Sequence, residues 1–223
     1  MMSNAISTVW PTSSNQSRVK CKASPKRDSQ ESINIKSPLL FDMLDNLSSV
    51  QQHTILDVGR ASATSIDYFN DHWCKLFITD SASEIHNLES EAIDTPHKWH
   101  RALVKSMRFY KRNKAGLDVI FLWDLPNYLE PDHLKGLIHY LLPHTTDRVL
   151  LHAYLYSARQ MPARPASYHI NGNNTMTICP GTADQIDCPM YHQTALQKYL
   201  SPFKAKRAVM LSSGIQEYLF HLK

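Results

Sequence analysis

The chain has 223 residues, 43% of them hydrophobic, and a formal net charge of +4. That length suits one domain with a full core, and no run of eighteen apolar residues offers a helical membrane span. Arg18, Lys20, Lys22, Lys26, Arg27 and Lys36 against Asp28 and Glu31 place the whole charge excess in residues 1–36, so the basic balance does not mark the rest of the chain for nucleic acid.

Residues 1–36 are rich in Ser, Asn, Lys and Pro, lack a hydrophobic period, and are expected to be a disordered basic tail. No charged region leads into an apolar stretch there, so a secretory signal is not expected, and Pro11 and Pro25 interrupt any amphipathic transit helix. Cys21, Cys74, Cys179 and Cys188 are scattered and read as reduced thiols of a cytoplasmic protein rather than a disulfide framework.

The domain is expected over 37–223. Ser37-Pro38 has the form of a helix start, followed by Leu40, Met43, Leu44 and Leu47 at helical spacing. Residues 55–58 form a short apolar strand that includes Asp57. Gly59 then allows a turn, and a helix carrying Ile66, Tyr68 and Phe69 follows. A second strand, 75–79, runs into Asp80. A polar stretch leads to a helix near Pro96 with Trp99, Leu103 and Met107 on one face. Residues 118–123 are the strongest strand, unbroken from Val119 to Trp123, as suits a strand covered on both faces. Pro131 opens a helix with Leu134, Leu137, Ile138, Leu141 and Leu142 inward, and Pro143 stops it; 148–154 is a further strand. Residues 157–188, with Pro162, Pro165, Pro180, Gly172 and Gly181, read as an irregular insertion over the ligand edge. A helix over 190–200 precedes two alternating strands, 206–211 and 216–221, joined at Ser212-Ser213-Gly214 as a hairpin. Alternating strands and helices predict an α/β fold: a Rossmann-like, mainly parallel sheet with helices on both faces and a C-terminal antiparallel β-hairpin.

Three acids end three strands: Asp57, Asp80 and Asp124. Each has a structural alternative, Asp57 accepting loop amides, Asp80 capping a helix, and Asp124 capping the helix near Pro131. A dinucleotide site needs G-x-G-x-x-G, but the positions here are Gly59, Ala61 and Thr64, and Asp57 would repel a pyrophosphate. Cys179, Cys188 and His192 lack zinc spacing, so no metal is expected, and no G-x-S-x-G elbow is present.

The run Asp57-Val58-Gly59-Arg60-Ala61-Ser62-Ala63, the acid Asp80 about one strand on, and Phe121-Leu122-Trp123-Asp124-Leu125-Pro126-Asn127-Tyr128 resemble the motifs of class I S-adenosylmethionine-dependent methyltransferases, over residues 40–221. Ala61 and Ala63 replace that family's usual glycines, Arg60 is bulky for the loop, and no third strand is visible between Asp80 and Asp118. The resemblance implies S-adenosylmethionine as cofactor, with Asp57, Gly59 and Ala61 shaping its loop, Asp80 on the ribose and Asp124 toward the methionyl end. It implies methyl transfer to a small-molecule or protein acceptor, with Tyr128 and, as a base after the fifth strand, His152 as catalytic candidates. Trp123, Tyr154, Tyr156 and Tyr168 are further aromatics near such a pocket, Trp123 and Tyr154 equally suited to the core. The alternative is a non-catalytic module of the same fold, a cofactor sensor or a protein-interaction domain, motivated by the two alanines and the missing strand.

Overall fold

The computed structural model describes residues 32–47, 51–90, 95–107 and 116–223. The sheet at its centre is built from β2 (His53–Asp57), β3 (Cys74–Ile78), β4 (Leu117–Trp123), β5 (Thr145–Tyr156), β10 (Phe203–Met210) and β11 (Ile215–Leu222). Their order is β10-β11-β5-β4-β2-β3. β3, β2, β4 and β5 run parallel, whereas β11 is antiparallel to β5 and β10 to β11. The sheet is therefore mixed, with four neighbouring parallel strands and an antiparallel pair of C-terminal strands. β2 is buried along its whole length and β4 almost so, which explains their unbroken apolar sequences: a strand covered on both faces has no solvent side to alternate toward.

The helices are α1 (Pro38–Asp45), α2 (Ala63–Asn70), α3 (Ala82–Ser90), α4 (Pro96–Ser106), α5 (Pro131–Leu141) and α6 (Gln193–Tyr199). α1 lies against β10 and β11, α2 against β3, α4 against α5, and α5 against α6. Ser37 does stand before Pro38 at the start of α1, yet its side chain makes no cap bond there. The helix is instead capped from across the fold. Glu217 of β11 accepts from the Leu40 amide at 2.8 Å, the Leu39 amide at 3.1 Å, the Ser37 hydroxyl at 2.5 Å and His152 Nε2 at 3.0 Å. A carboxylate at a helix amino end meets unpaired N–H groups and the positive end of the dipole. Burial alone would raise the Glu217 pKa, but His152, Ser37 and the Leu39 amide together hold it below the ordinary carboxylate value.

Two expectations are corrected. Residues 33–36 were expected in the tail, but they form strand β1 (Ile33–Lys36), paired with residues 175–178. The remainder of the expected tail, 1–31, lies outside the described residues. The segment 157–188 is not irregular. It holds β6 (Gln160–Pro162), β7 (Ser167–Gly172), β8 (Thr175–Cys179) and β9 (Gln185–Asp187). β1, β8 and β7 make a three-stranded antiparallel sheet, and β6 pairs with β9. The helix expected over 190–200 is the shorter α6. No strand is described between β3 and β4, so β3 ends the central sheet on one side among the described residues; β10 ends it on the other. Among the described residues no helix is long and apolar enough to cross a membrane.

Candidate functional site

The parallel strands deliver Asp57, Asp80 and Asp124 to one edge, at the carboxyl ends of β2, β3 and β4. In open α/β sheets this is where ligands sit. What occupies the edge follows from the last residues of β4. Its register against β5 shifts between Phe121 and Trp123, and Trp123 has φ 51°. A bulky residue in the left-handed region costs on the order of 1–3 kcal/mol and persists only where its surroundings hold it.

Those surroundings are specific. Trp123 Nε1 donates to Asp57 Oδ1 at 2.5 Å. The Gly59 amide donates to the same oxygen at 2.7 Å. The indole stacks on Phe121 (centroids 4.9 Å, planes 20° apart) and on Tyr168 (4.9 Å, 5°). A hydrogen bond to a charged group contributes about 1.5–3 kcal/mol and an aromatic pair about 0.5–1.5 kcal/mol beyond area burial, which together outweigh the backbone strain. Trp123 is 2% exposed and Asp57 3%. A methyl group added to Gly59 would stand 2.7 Å from Trp123 Nε1 and 2.8 Å from its Cδ1. The glycine therefore serves a close approach, as the sequence suggests, but what approaches is the protein's own indole. Burial pushes the Asp57 pKa up to about 6, against the Trp123 and Gly59 hydrogen bonds.

The segment leading into β7 covers the neighbouring strand end. The Ala166 amide donates to Asp124 Oδ2 at 3.0 Å, and the Tyr156 and Tyr128 hydroxyls approach the same oxygen at 3.3 and 3.5 Å. Asp124 is 1% exposed, and burial raises its pKa to about 6 despite the Ala166 amide. Tyr128 lies in a short 3-10 turn, Leu125–Tyr128, and donates to the Arg164 carbonyl at 2.9 Å. Burial, then Asp124, pushes its pKa far upward. At α2, Ser62 caps the helix by accepting from the Ser65 amide at 3.1 Å, and the Ile170 amide of β7 donates to Ser65 Oγ at 2.9 Å. Thus Asp124, Trp123 and Ser65 hold three successive points of one strap, residues 166–170.

The remaining expected residues divide. Asp80 (φ 48°) is exposed, with Arg60 Nε 4.0 Å from its carboxylate, and Ala61 is exposed too. Ala82 N donates to the Val58 carbonyl at 2.8 Å, drawing the start of α3 against the loop. His152 is a correction. It is wholly buried within β5, its Nε2 pairs with Glu217 in the network under α1, and its ring meets the Trp123 indole edge-on at 5.9 Å from beneath the edge rather than facing a ligand. The residues that shape the edge also include Ser65 and Ala166, which sequence reasoning did not single out. Local sequence gives no signal for either, because each acts through contacts more than forty residues away.

In this conformation the indole fills the space over Gly59 and takes Asp57 Oδ1, so this part of the edge does not fit a resident adenosyl cofactor until the indole moves.

No family model matches the chain, and no curated protein matches it in sequence. Solved structures do overlap its backbone. A S-adenosylmethionine-dependent methyltransferase from Clostridium acetobutylicum aligns over 83% of this chain and 89% of its own, at 13% identity and TM-score 0.48. A SAM-dependent methyltransferase from Aquifex aeolicus aligns over 85% and 91%, at 14% identity and TM-score 0.47. The glycopeptide N-methyltransferase MtfA, solved with S-adenosyl-L-homocysteine, aligns over 84% and 90%, at 9% identity and TM-score 0.45. Likeness at this level carries no statement about activity.

Proposed function

We propose that this chain is a methyltransferase-like module that acts without methyl transfer, through contact with a protein partner. One observation carries the reading: Asp57 Oδ1 accepts from both Trp123 Nε1 and the Gly59 amide, and the indole occupies the space above Gly59. An exposed apolar surface elsewhere supports the contact role. Trp73 is 58% exposed at the rim of a hollow lined by Leu44, Leu47, Phe69 and Cys74. Exposed aromatics beside apolar hollows are common anchors for partners.

Calorimetry and thermal shift with S-adenosylmethionine and S-adenosylhomocysteine at millimolar concentration test this. The expected result is no saturable heat and no stabilisation. Saturable binding would overturn it.

A second reading is favoured by a specific observation: Asp57, Asp80 and Asp124 end three neighbouring parallel strands, with an antiparallel hairpin completing the sheet. This reading is S-adenosylmethionine-dependent methyl transfer to a small-molecule or protein acceptor, after displacement of Trp123. Asp80 would hold the ribose hydroxyls and Asp124 would stand toward the acceptor. Under it, Asp80→Ala weakens cofactor binding by about 1–3 kcal/mol, and unchanged affinity removes Asp80 from the site.

A further inference from the structure

We propose that the space above Gly59 is a latent ligand site occupied from within by Trp123, and that the ligand class it takes is a planar nitrogen heteroaromatic ring with one N–H donor. The inference rests on the closed edge described above, but it concerns what the closed space would hold and not whether the protein transfers methyl groups.

The indole is bound there much as a small ligand would be. It has a floor in Gly59, where no side chain intrudes. It has one directional partner, Asp57 Oδ1, at 2.5 Å from its nitrogen. It has aromatic faces parallel to its own in Phe121 and Tyr168, of which the second arrives from a different part of the chain. Each of these elements also has a hold apart from the tryptophan side chain. Gly59 also donates to Asp57 Oδ1, which orients the carboxylate. Phe121 belongs to buried β4. The strap carrying Tyr168 is separately fixed by Ala166 to Asp124 and Ile170 to Ser65. The ring is also attached through a backbone at φ 51°, a conformation in which glycine is at ease and tryptophan is not. Its removal therefore relieves strain at the tether while leaving a shaped, one-acceptor cavity. Apolar cavities of ring size left by truncation are known to accept aromatic molecules from solution.

The experiment uses the full chain as Trp123→Gly, with free indole and 1-methylindole as probes. Indole is expected to raise the melting temperature of the variant with saturation, whereas the wild type needs at least tenfold more. 1-Methylindole, which cannot donate to Asp57, is expected to bind at least tenfold more weakly than indole. A folded Trp123→Gly that ignores indole overturns the proposal, and so does equal binding of the two probes. Should that variant not fold, Gly59→Ala serves instead, since its methyl group would meet the indole nitrogen at 2.7 Å. The Trp123 Nε1–H resonance, which its burial and hydrogen bond should protect from exchange in the wild type, should then lose protection, and a resonance still protected overturns the idea. Binding of S-adenosylmethionine by the wild type would sink the non-catalytic reading and leave the indole result standing, so the two failures are distinguishable.

Discussion

Asp57→Asn should stabilise the protein at neutral pH, and by an amount that grows with pH. Both donors at this residue, Trp123 Nε1 and the Gly59 amide, use the same oxygen, Oδ1. Asparagine keeps that oxygen and its geometry, so neither bond is lost. What disappears is the cost of ionising a carboxyl group that is 3% exposed. Its pKa is raised from 3.8 to about 6 by burial, opposed by the Trp123 and Gly59 bonds. The folded form therefore holds its proton more tightly than the unfolded chain. Stability from this group is full below the unfolded pKa and is lost as pH rises through the folded one. A difference of about 2 pK units corresponds to roughly 3 kcal/mol at pH 7.5, shrinking to about 0.5 kcal/mol at pH 4. For a chain of this size that is a rise of about 6–12 °C in melting temperature at pH 7.5. Urea unfolding of both proteins at pH 4, 5, 6 and 7.5 gives the difference directly. A variant less stable than wild type at pH 7.5, or a difference that is flat with pH, refutes the account of a buried carboxylate held only by Trp123 and Gly59.

Other outcomes follow from the same geometry. Glu217→Gln should cost about 2–4 kcal/mol, because an amide cannot accept at both positions and leaves the Leu39 or Leu40 N–H facing a donor. Since the Glu217 pKa is lowered, its contribution is present at neutral pH and lost as pH falls through the folded value, so the stability difference between wild type and variant should shrink as the solution is acidified. A Glu217→Gln protein as stable as wild type at pH 7 would contradict the cross-fold cap. Gly136→Ala should destabilise by about 1–2 kcal/mol despite better helix propensity, because the new methyl group would lie 2.6 Å from Trp99 Cδ1. A higher melting temperature in that variant would show that the α4–α5 contact yields.

The sheet was legible in the sequence where a strand is buried on both faces. Val119 to Trp123 announces β4 through an unbroken apolar run, and β2 does so with fewer residues. The hairpin was legible because Ser212-Ser213-Gly214 interrupts two strands. The small sheet was not. Ile33–Lys36 is four residues long, and its partner Thr175–Ile178 lies some 140 residues away, so no local period marks it. β7 and β8 hide among prolines and polar residues because they are only half covered. At the site, the acids ending the strands were legible as positions, since topology alone places them. Their partners were not. That Trp123 folds back on Asp57 depends on a left-handed backbone at the end of β4 and on Tyr168 arriving from β7. His152 was misplaced for a related reason. A histidine in a strand suggests a site, whereas the acid that receives it, Glu217, stands in a distant strand and shows only as an odd charge amid Ile215, Tyr218, Leu219 and Phe220.

The outer strand β10 has one more consequence. Among the described residues only β11 is bonded to it, its register is broken between Ala205 and Arg207, and it carries Lys204, Lys206 and Arg207, the last paired with Asp42. A second molecule laying an extended segment there would bring like charges together across an uneven ladder. Growth of a fibre by strand addition is thus discouraged at this border, and replacing the three cations with threonine is the change that would invite it.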